Sequence, residues 1–380
     1  MSGGAYVARR DLPEFALWDR LKEKRAAMSF DIELTARCNL NCRHCYINLP
    51  AGDRKARAGE LSEAEIGRIA SEAAGLGAVW CLVTGGEPLL RRDFFDVYSI
   101  LRSRGLLVSL YTNATLVESS HVRFFKKHPP RDIEVTVYGV TRETYERVTR
   151  VSGSFEAFRR GLALLLESGV RVRLKAMALR SNAPELPEIA AFCRARTKDY
   201  FRFDPFLHYR LDRDAARNRD IEAERLSAAE IVELERGDTD RFEAMGRHRE
   251  DLVIPAFADA PDERLFRCGA GKRNFVIGHD GRFRPCSSLT HRDFLFDLRA
   301  ESLEEAWREF VPRVLERFST RADYLDRCAR CPIVNLCLWC PATAYLESGE
   351  LDAPVDYYCR VARARAAALG ERLTKAPEGA

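Results

Sequence analysis

The sequence lacks any uninterrupted apolar run of about 18 residues, so no membrane-spanning segment and no membrane partner is expected. Its opening stretch, MSGGAYVARRDLPEFALWDRLKEKR, has no apolar h-region and so does not read as a secretory signal. No charge of one sign dominates: 61 Lys and Arg stand against 57 Asp and Glu, a balance of +4, and the basic residues are spread rather than clustered. A nucleic-acid partner is therefore not expected. Internal repeats and low-complexity tracts are also missing. These absences leave a cytoplasmic globular protein, whose 380 residues suffice for two or three domains with real cores.

What the sequence does have is cysteine, twelve in all and unevenly placed. Cys38, Cys42 and Cys45 sit in one loop, and seven more fall between Cys268 and Cys359. Only Cys81 and Cys193 lie between the groups, in apolar patterns that read as buried thiols. A reducing compartment disfavours disulfides, so the clustering points to metal or iron–sulfur ligation.

From Phe30 to Pro205 short apolar runs alternate with helical patterns. Strands are predicted over Phe30–Thr35, Ala78–Thr84, Leu106–Thr112, Asp132–Tyr138, Val170–Leu179 and Tyr200–Phe206. Helices are predicted over Ser62–Gly77, with Ser62 and Glu65 as a capping box, and over Asp93–Ser103, Glu118–Lys127, Phe155–Ser168 and Glu185–Arg196. Six strands alternating with helices predict an α/β fold, a parallel sheet curled toward a barrel with ligands at the C-terminal strand ends. Residues 210–264 turn charged and read as a bridging segment with one helix after Ser227. Beyond Cys268, helices are predicted around Ser302–Phe318 and Tyr357–Leu373. Four regions are expected: a helical extension (1–29), a core (30–209), the bridge (210–264) and a cysteine-rich domain (265–380).

Cys38-x3-Cys42-x2-Cys45 follows directly on the first strand. A cubane held by three thiolates keeps one iron open to a chelating molecule. The alternative is a zinc site completed by His44, although His44 and Cys45 are adjacent and do not easily face one ion. Gly85-Gly86-Glu87-Pro88 closes the second strand, one βα unit later. The pair of motifs resembles the cluster loop and the GGEP turn of radical S-adenosylmethionine (SAM) enzymes.

That resemblance implies a fold, a cofactor and roles. The fold would be a partial (β/α)6 TIM-like barrel. Cys38, Cys42 and Cys45 would hold a [4Fe–4S] cluster, and Gly85, Gly86 and Glu87 would line up the SAM amino group. Thr112-Asn113-Ala114-Thr115 resembles the family's TNGT turn, with Ala114 in place of glycine. Thr136-Val137-Tyr138-Gly139 resembles its SLDG stretch, with Thr136 keeping the hydroxyl. Asn113, Thr136, Lys175, Asn182, His44 and Tyr46 would be further SAM contacts. Ordinary strand polarity is the competing role for Thr136 and Lys175, and an exposed loop position for His44.

Cys268-x12-Gly281-x4-Cys286, then Cys328-x2-Cys331-x5-Cys337-x2-Cys340 and Cys359, resembles the SPASM domain that extends many radical SAM enzymes. The last internal spacing departs from the family's x3. The resemblance implies one auxiliary [4Fe–4S] cluster on Cys328, Cys331, Cys337 and Cys359, and another on Cys268, Cys286 and Cys340 with a fourth position unassigned. That makes three clusters in all. The paired CxxC spacings also suit zinc, but seven cysteines divide poorly into two four-cysteine sites.

The implied activity is that of an oxidoreductase that cleaves SAM reductively to a 5′-deoxyadenosyl radical and abstracts hydrogen from substrate. The auxiliary clusters would take up an electron or anchor substrate. A peptide substrate, oxidised or crosslinked, is expected; a small metabolite such as a sugar or aminocyclitol, and a non-enzymatic metal scaffold, are the alternatives. Ser287 stands where sulfatase maturases carry an aspartate, which disfavours that activity. Expected partners are an electron donor such as flavodoxin or ferredoxin and a separate leader-peptide-binding protein, because the stretch before Cys38 lacks a strand-rich pattern. Asp204, His208 and Tyr209, at the end of the sixth strand, are the acid–base candidates, with a structural ion pair or hydrogen bond as the competing role for each.

Overall fold

The computed structural model describes residues 25–253 and 263–370. The expected N-terminal helical extension lies outside them except at 25–28, which are irregular, and Ser29 already begins a strand.

Six parallel strands follow one another in space as in sequence: β1 (Ser29–Glu33), β2 (Trp80–Thr84), β3 (Leu107–Thr112), β4 (Asp132–Thr136), β5 (Val172–Met177) and β6 (Arg202–Asp204). No hydrogen bonds join β6 back to β1, so the barrel stays open. The strands form where apolar residues alternate. In β5 Val172, Leu174 and Ala176 are buried against the helical layer, while Arg173, Lys175 and Met177 take the other face. Between the strands run α1 (Glu63–Gly75), α2 (Phe94–Ser103), α3 (Ser119–Lys127), α4 (Arg142–Thr149), α5 (Ser154–Glu167) and α6 (Leu186–Arg194). Helix α1 starts at the capping box of Ser62 and Glu65 and buries Ile66, Ile69, Ala70 and Ala73 along one face. Cys81 and Cys193 are buried, as their apolar surroundings suggest.

Two features differ from the sequence expectation. First, among the described residues the sheet has nine strands: β7 (Asn274–Ile277) pairs parallel with β1 on its outer side, and β8 (Arg282–Arg284) and β9 (Phe296–Asp297) continue it antiparallel. Phe30 opposes Phe275 in the β1–β7 register, and their rings stack at 5.4 Å. Such a ring pair contributes about 1 kcal/mol beyond its buried area. Second, the charged segment holds three helices of nine or ten residues rather than one: α7 (Ala215–Glu224), α8 (Ala228–Gly237) and α9 (Thr239–Arg247). Their caps explain them, since Asp214, Ser227 and Asp238 each accept a backbone N–H of the first turn.

In the cysteine-rich region the helical run 303–315 is interrupted by a π-helical turn at Ala306–Phe310. It is followed by α10 (Pro341–Ser348) and α11 (Asp356–Ala368). Helix α11 packs on α8 across a buried ion pair, Arg365 to Glu235, with Nε–Oε2 at 2.9 Å.

Candidate active site

The C-terminal end of β1 runs straight into the three-cysteine loop, and β2 ends beside it at Gly85 and Gly86. The contact needs glycine. A Cβ on Gly86 would stand 2.3 Å from the Arg37 carbonyl oxygen, and one on Gly85, at φ +133°, 2.3 Å from that of Thr35. The bare backbone instead hydrogen-bonds across, Gly86 N–H to Thr35 O at 2.7 Å and Glu87 N–H to Arg37 O at 2.9 Å.

Glu87 itself is fully buried and does not line the cavity described below. Its carboxylate accepts from Leu89 N–H, the Thr112 hydroxyl and Asn113 N–H at 2.8–3.1 Å. Burial nevertheless pushes it up to about 7. The effect is to seat Asn113, whose Nδ2 donates to Cys38 Sγ (3.7 Å) and Asn39 Oδ1 (3.0 Å). Ala114, next in the turn, is left-handed at φ +62°, which is why glycine is the family habit there.

Cys38, Cys42 and Cys45 are close enough for each thiolate to oppose the ionisation of another. Burial first, then Glu87 and Cys45, push Cys38 up to about 12, and Cys42 is raised mainly by burial and then by Cys45 and Cys38. Three sulfurs so placed need a positive centre to ionise together. Amide donors are already in position, Leu40 N–H on Cys38 Sγ and Asn48 N–H on Cys45 Sγ, both at 3.4 Å. Among the described residues no three His, Cys, Asp or Glu side chains converge tightly enough to hold a single metal ion.

The loop is held from outside by residues that in sequence belong to the charged bridge. Arg210, buried, donates to Cys45 O (3.3 Å), Asn48 O (3.3 Å) and Asn48 Oδ1 (3.1 Å). Arg217 on α7 donates to Cys42 O (3.1 Å), Asn41 Oδ1 (2.6 Å) and Asn48 Oδ1 (3.1 Å). The end of α4 receives Asn41 N–H on Thr149 O and Arg43 N–H on Val148 O. In sequence nothing but a run of charges marks Arg210 and Arg217.

A cavity of about 520 Å³ opens at the strand ends. Of the predicted site residues, the loop cysteines, His44, Tyr46, Gly85, Gly86, Asn113, Thr136, Lys175, Asp204 and His208 line it. Glu87, Asn182 and Tyr209 do not. Asn182 is fully buried, its Nδ2 donating to Tyr138 O and Met177 O, both at 3.0 Å. Tyr209 lies under the Arg225 guanidinium at 4.2 Å. Lys175 Nζ sits 2.9 Å from Glu134 Oε1 and 4.6 Å from the centre of the Tyr111 ring. His44 packs on Tyr138, ring centres 5.2 Å apart, and burial lowers it to about 4. His208 is also lowered, by burial and then Arg225, and its buried Nδ1 has no partner. The far wall comes from the cysteine-rich region: Leu338, Thr343, Tyr358 and Arg365.

That region divides its cysteines into two groups. Cys328, Cys331, Cys337 and Cys359 influence one another, with the Cys359 thiol drawn down chiefly by a hydrogen bond from Cys337. Cys268, Cys286 and Cys340 form the second group, and burial raises Cys286 and Cys340. The shortened Cys337–Cys340 spacer is absorbed at Leu338, left-handed at φ +57°, after which Cys340 caps α10. Thr343 joins the second group to the cavity, its hydroxyl 3.5 Å from Cys340 Sγ.

Residues 32–193 match the sequence profile of the Radical SAM superfamily. The chain carries a radical SAM domain. Its fold is a partial (β/α)6 radical SAM barrel followed by a cysteine-rich region, the architecture shared with SPASM-containing radical SAM enzymes of known structure. Similar proteins include an AdoMet-dependent heme synthase of Nitratidesulfovibrio vulgaris, 23% identical over 336 residues, 84% of this chain and 88% of the relative. The antilisterial bacteriocin subtilosin biosynthesis protein AlbA of Bacillus subtilis is 24% identical, over 81% of this chain and 66% of its own length. Among solved structures, Streptococcus suis SuiB bound to precursor peptide SuiA superposes with a TM-score of 0.67 at 16% identity, covering 91% of this chain and 78% of that one. Among the described residues no helix of the chain is long and apolar enough to cross a membrane.

Proposed function

We propose that the chain is a SAM-cleaving oxidoreductase acting on a peptide, with Cys38, Cys42 and Cys45 as ligands of the SAM-binding [4Fe–4S] cluster and the two downstream cysteine groups as ligands of auxiliary clusters. One observation carries the reading: three mutually destabilising thiols, with amide donors on two of them, face a cavity at the strand ends beside the bare backbone of Gly85 and Gly86. When bound, the cluster supplies one electron that splits SAM into methionine and a 5′-deoxyadenosyl radical. The protein's own tasks are binding, orientation and exclusion of water. The glycines let the end of β2 pack directly on the loop backbone, which holds this turn at the cavity edge for SAM to meet. Asn113 and Thr136 offer side-chain hydrogen-bonding groups from neighbouring strand ends. His44 and Tyr138 form an aromatic wall suited to a flat base. Lys175 is partly neutralised by Glu134, so it orients an anionic group without holding a full free charge. Asp204 lines the cavity, which supports it as the group that takes the proton substrate oxidation releases. The peptide assignment draws on SuiB and AlbA, whose names tie them to precursor peptide and bacteriocin.

After anaerobic reconstitution, the protein should release 5′-deoxyadenosine from SAM only with reductant. Cys38→Ala, Cys42→Ala and Cys45→Ala should each abolish it. Full release from any of the three would refute the assignment. A second reading, oxidation of a small cofactor precursor, is favoured by the heme synthase relative, which matches over most of both chains. Deuterium carried from labelled peptide or labelled small molecule into 5′-deoxyadenosine separates the two.

A further inference from the structure

The charges around the cavity balance on its strand side but not on its helical side. Glu134 and Asp204 face Lys175 and Arg202, with Arg173 shared between Glu134 and Asp132. On the helical side one buried carboxylate, Glu235, serves two guanidinium groups. Arg365 Nη2 lies 2.5 Å from Glu235 Oε1, and Arg241 Nη2 lies 2.9 Å from that same oxygen. Arg365 is spent on this pair and on Leu336 O, whereas Arg241 has a buried Nε with no partner. Both arginines line the cavity.

Next to them stands a second unmet donor. Tyr358 lines the same cavity at 1% exposure, and its buried hydroxyl has no hydrogen-bond partner. Arg365 covers the Phe206 ring at 4.8 Å, and Phe206 lies 5.5 Å from the Tyr358 ring, so the two arginines, Phe206 and Tyr358 form one continuous wall. Arg241 is partly exposed and also donates to Phe203 O at 2.9 Å, but its buried, unmet Nε, the surplus of one positive charge over Glu235 and the orphaned Tyr358 hydroxyl together call for an anionic acceptor.

We infer that Arg241, Arg365 and Tyr358 form a carboxylate subsite, and that the substrate enters with a carboxylate on an apolar or aromatic body lying along Phe206. This rests on the proposed function for the identity of the cavity as the substrate site. The subsite fixes which end of the substrate lies away from the cysteine loop, and so which C–H bond faces it.

The test uses the anaerobically reconstituted full chain with 3-phenylpropionate and its primary amide, 3-phenylpropanamide, as probes in calorimetric titrations. The carboxylate should bind about tenfold or more tighter than the amide, the worth of one charge-assisted contact. Arg241→Gln and Tyr358→Phe should each shrink that ratio several-fold, while Arg241→Lys, which keeps the charge, should retain most of it. Equal binding of the two probes, or an undiminished ratio in both Arg241→Gln and Tyr358→Phe, would overturn the subsite. Reductant-dependent SAM cleavage by the wild-type protein is read separately. Its absence alongside intact discrimination would remove the proposed chemistry and leave the subsite standing.

Discussion

At the scale of single residues, the site is governed by what backbone can approach what. Gly86→Ala would place a Cβ against the carbonyls of Arg37 and Ala36, at 2.3 and 2.7 Å, neither of which can yield without moving the cysteine loop. A loss of about 2 kcal/mol is expected, with reduced iron retention on reconstitution, measured by urea unfolding and iron assay. Asp31 is a different kind of residue. Burial, and then Glu33, raise it from 3.8 to about 6, against a smaller opposing effect of Arg284. An acid whose folded pKa lies above its unfolded value weakens the fold as pH rises. Below about pH 4 both states keep the proton, and above about pH 6 the penalty is complete. Asp31→Asn should thus change little at pH 4 and gain about 3 kcal/mol at pH 8, read from unfolding curves across that range. A gain independent of pH would contradict burial of the charged carboxylate as its cause.

At the scale of elements, two devices invite tests. Glu235 on α8 neutralises Arg365 of α11 and part of Arg241. Glu235→Leu would strand two guanidinium groups, so a loss of about 3–5 kcal/mol is expected in chemical unfolding. Leu338 is 55% exposed and left-handed between Cys337 and Cys340. Leu338→Gly should relieve up to about 1 kcal/mol of backbone strain, visible as a raised unfolding midpoint. How far elements are legible in sequence follows from their chemistry. Burial alternates cleanly in β2 and β5, β4 is buried almost throughout, and α1 announces itself by its capping box. Helix α4 escapes a reading by periodicity because Tyr145 and Val148 are its only large apolar residues in RETYERVT, while α7 has only Ile221 and α9 only Phe242 and Met245. Cysteines and paired glycines mark the cluster loop plainly. Arg210 and Arg217, which grip that loop, look like solvated charge, since only the fold shows that they reach Asn48 and the loop carbonyls. The motif places Glu87 against the ligand, but the turn carries it inward, behind Asn113.

At the scale of the whole molecule, the three proposed clusters predict about 12 irons per chain after reconstitution, four to each. Cys337→Ala should remove about four of them, and retention of the full count would rule out the outer group as a cluster site. Leu338, Thr343, Tyr358 and Arg365 of the cysteine-rich region close the cavity opposite the barrel's strand ends, so both regions of the chain line it.

The pairing of β7 with β1 bears on how such a molecule can be made. During synthesis the first strand emerges early, yet its outer neighbour leaves the ribosome only after more than half the chain has followed. Until then Phe30 has no Phe275 to stack on and β1 offers an open edge to any passing strand. A nascent chain halted before residue 274 should therefore be sticky rather than active, and metal loading of the loop at the tip of β1 should mature late, once the tail has come home.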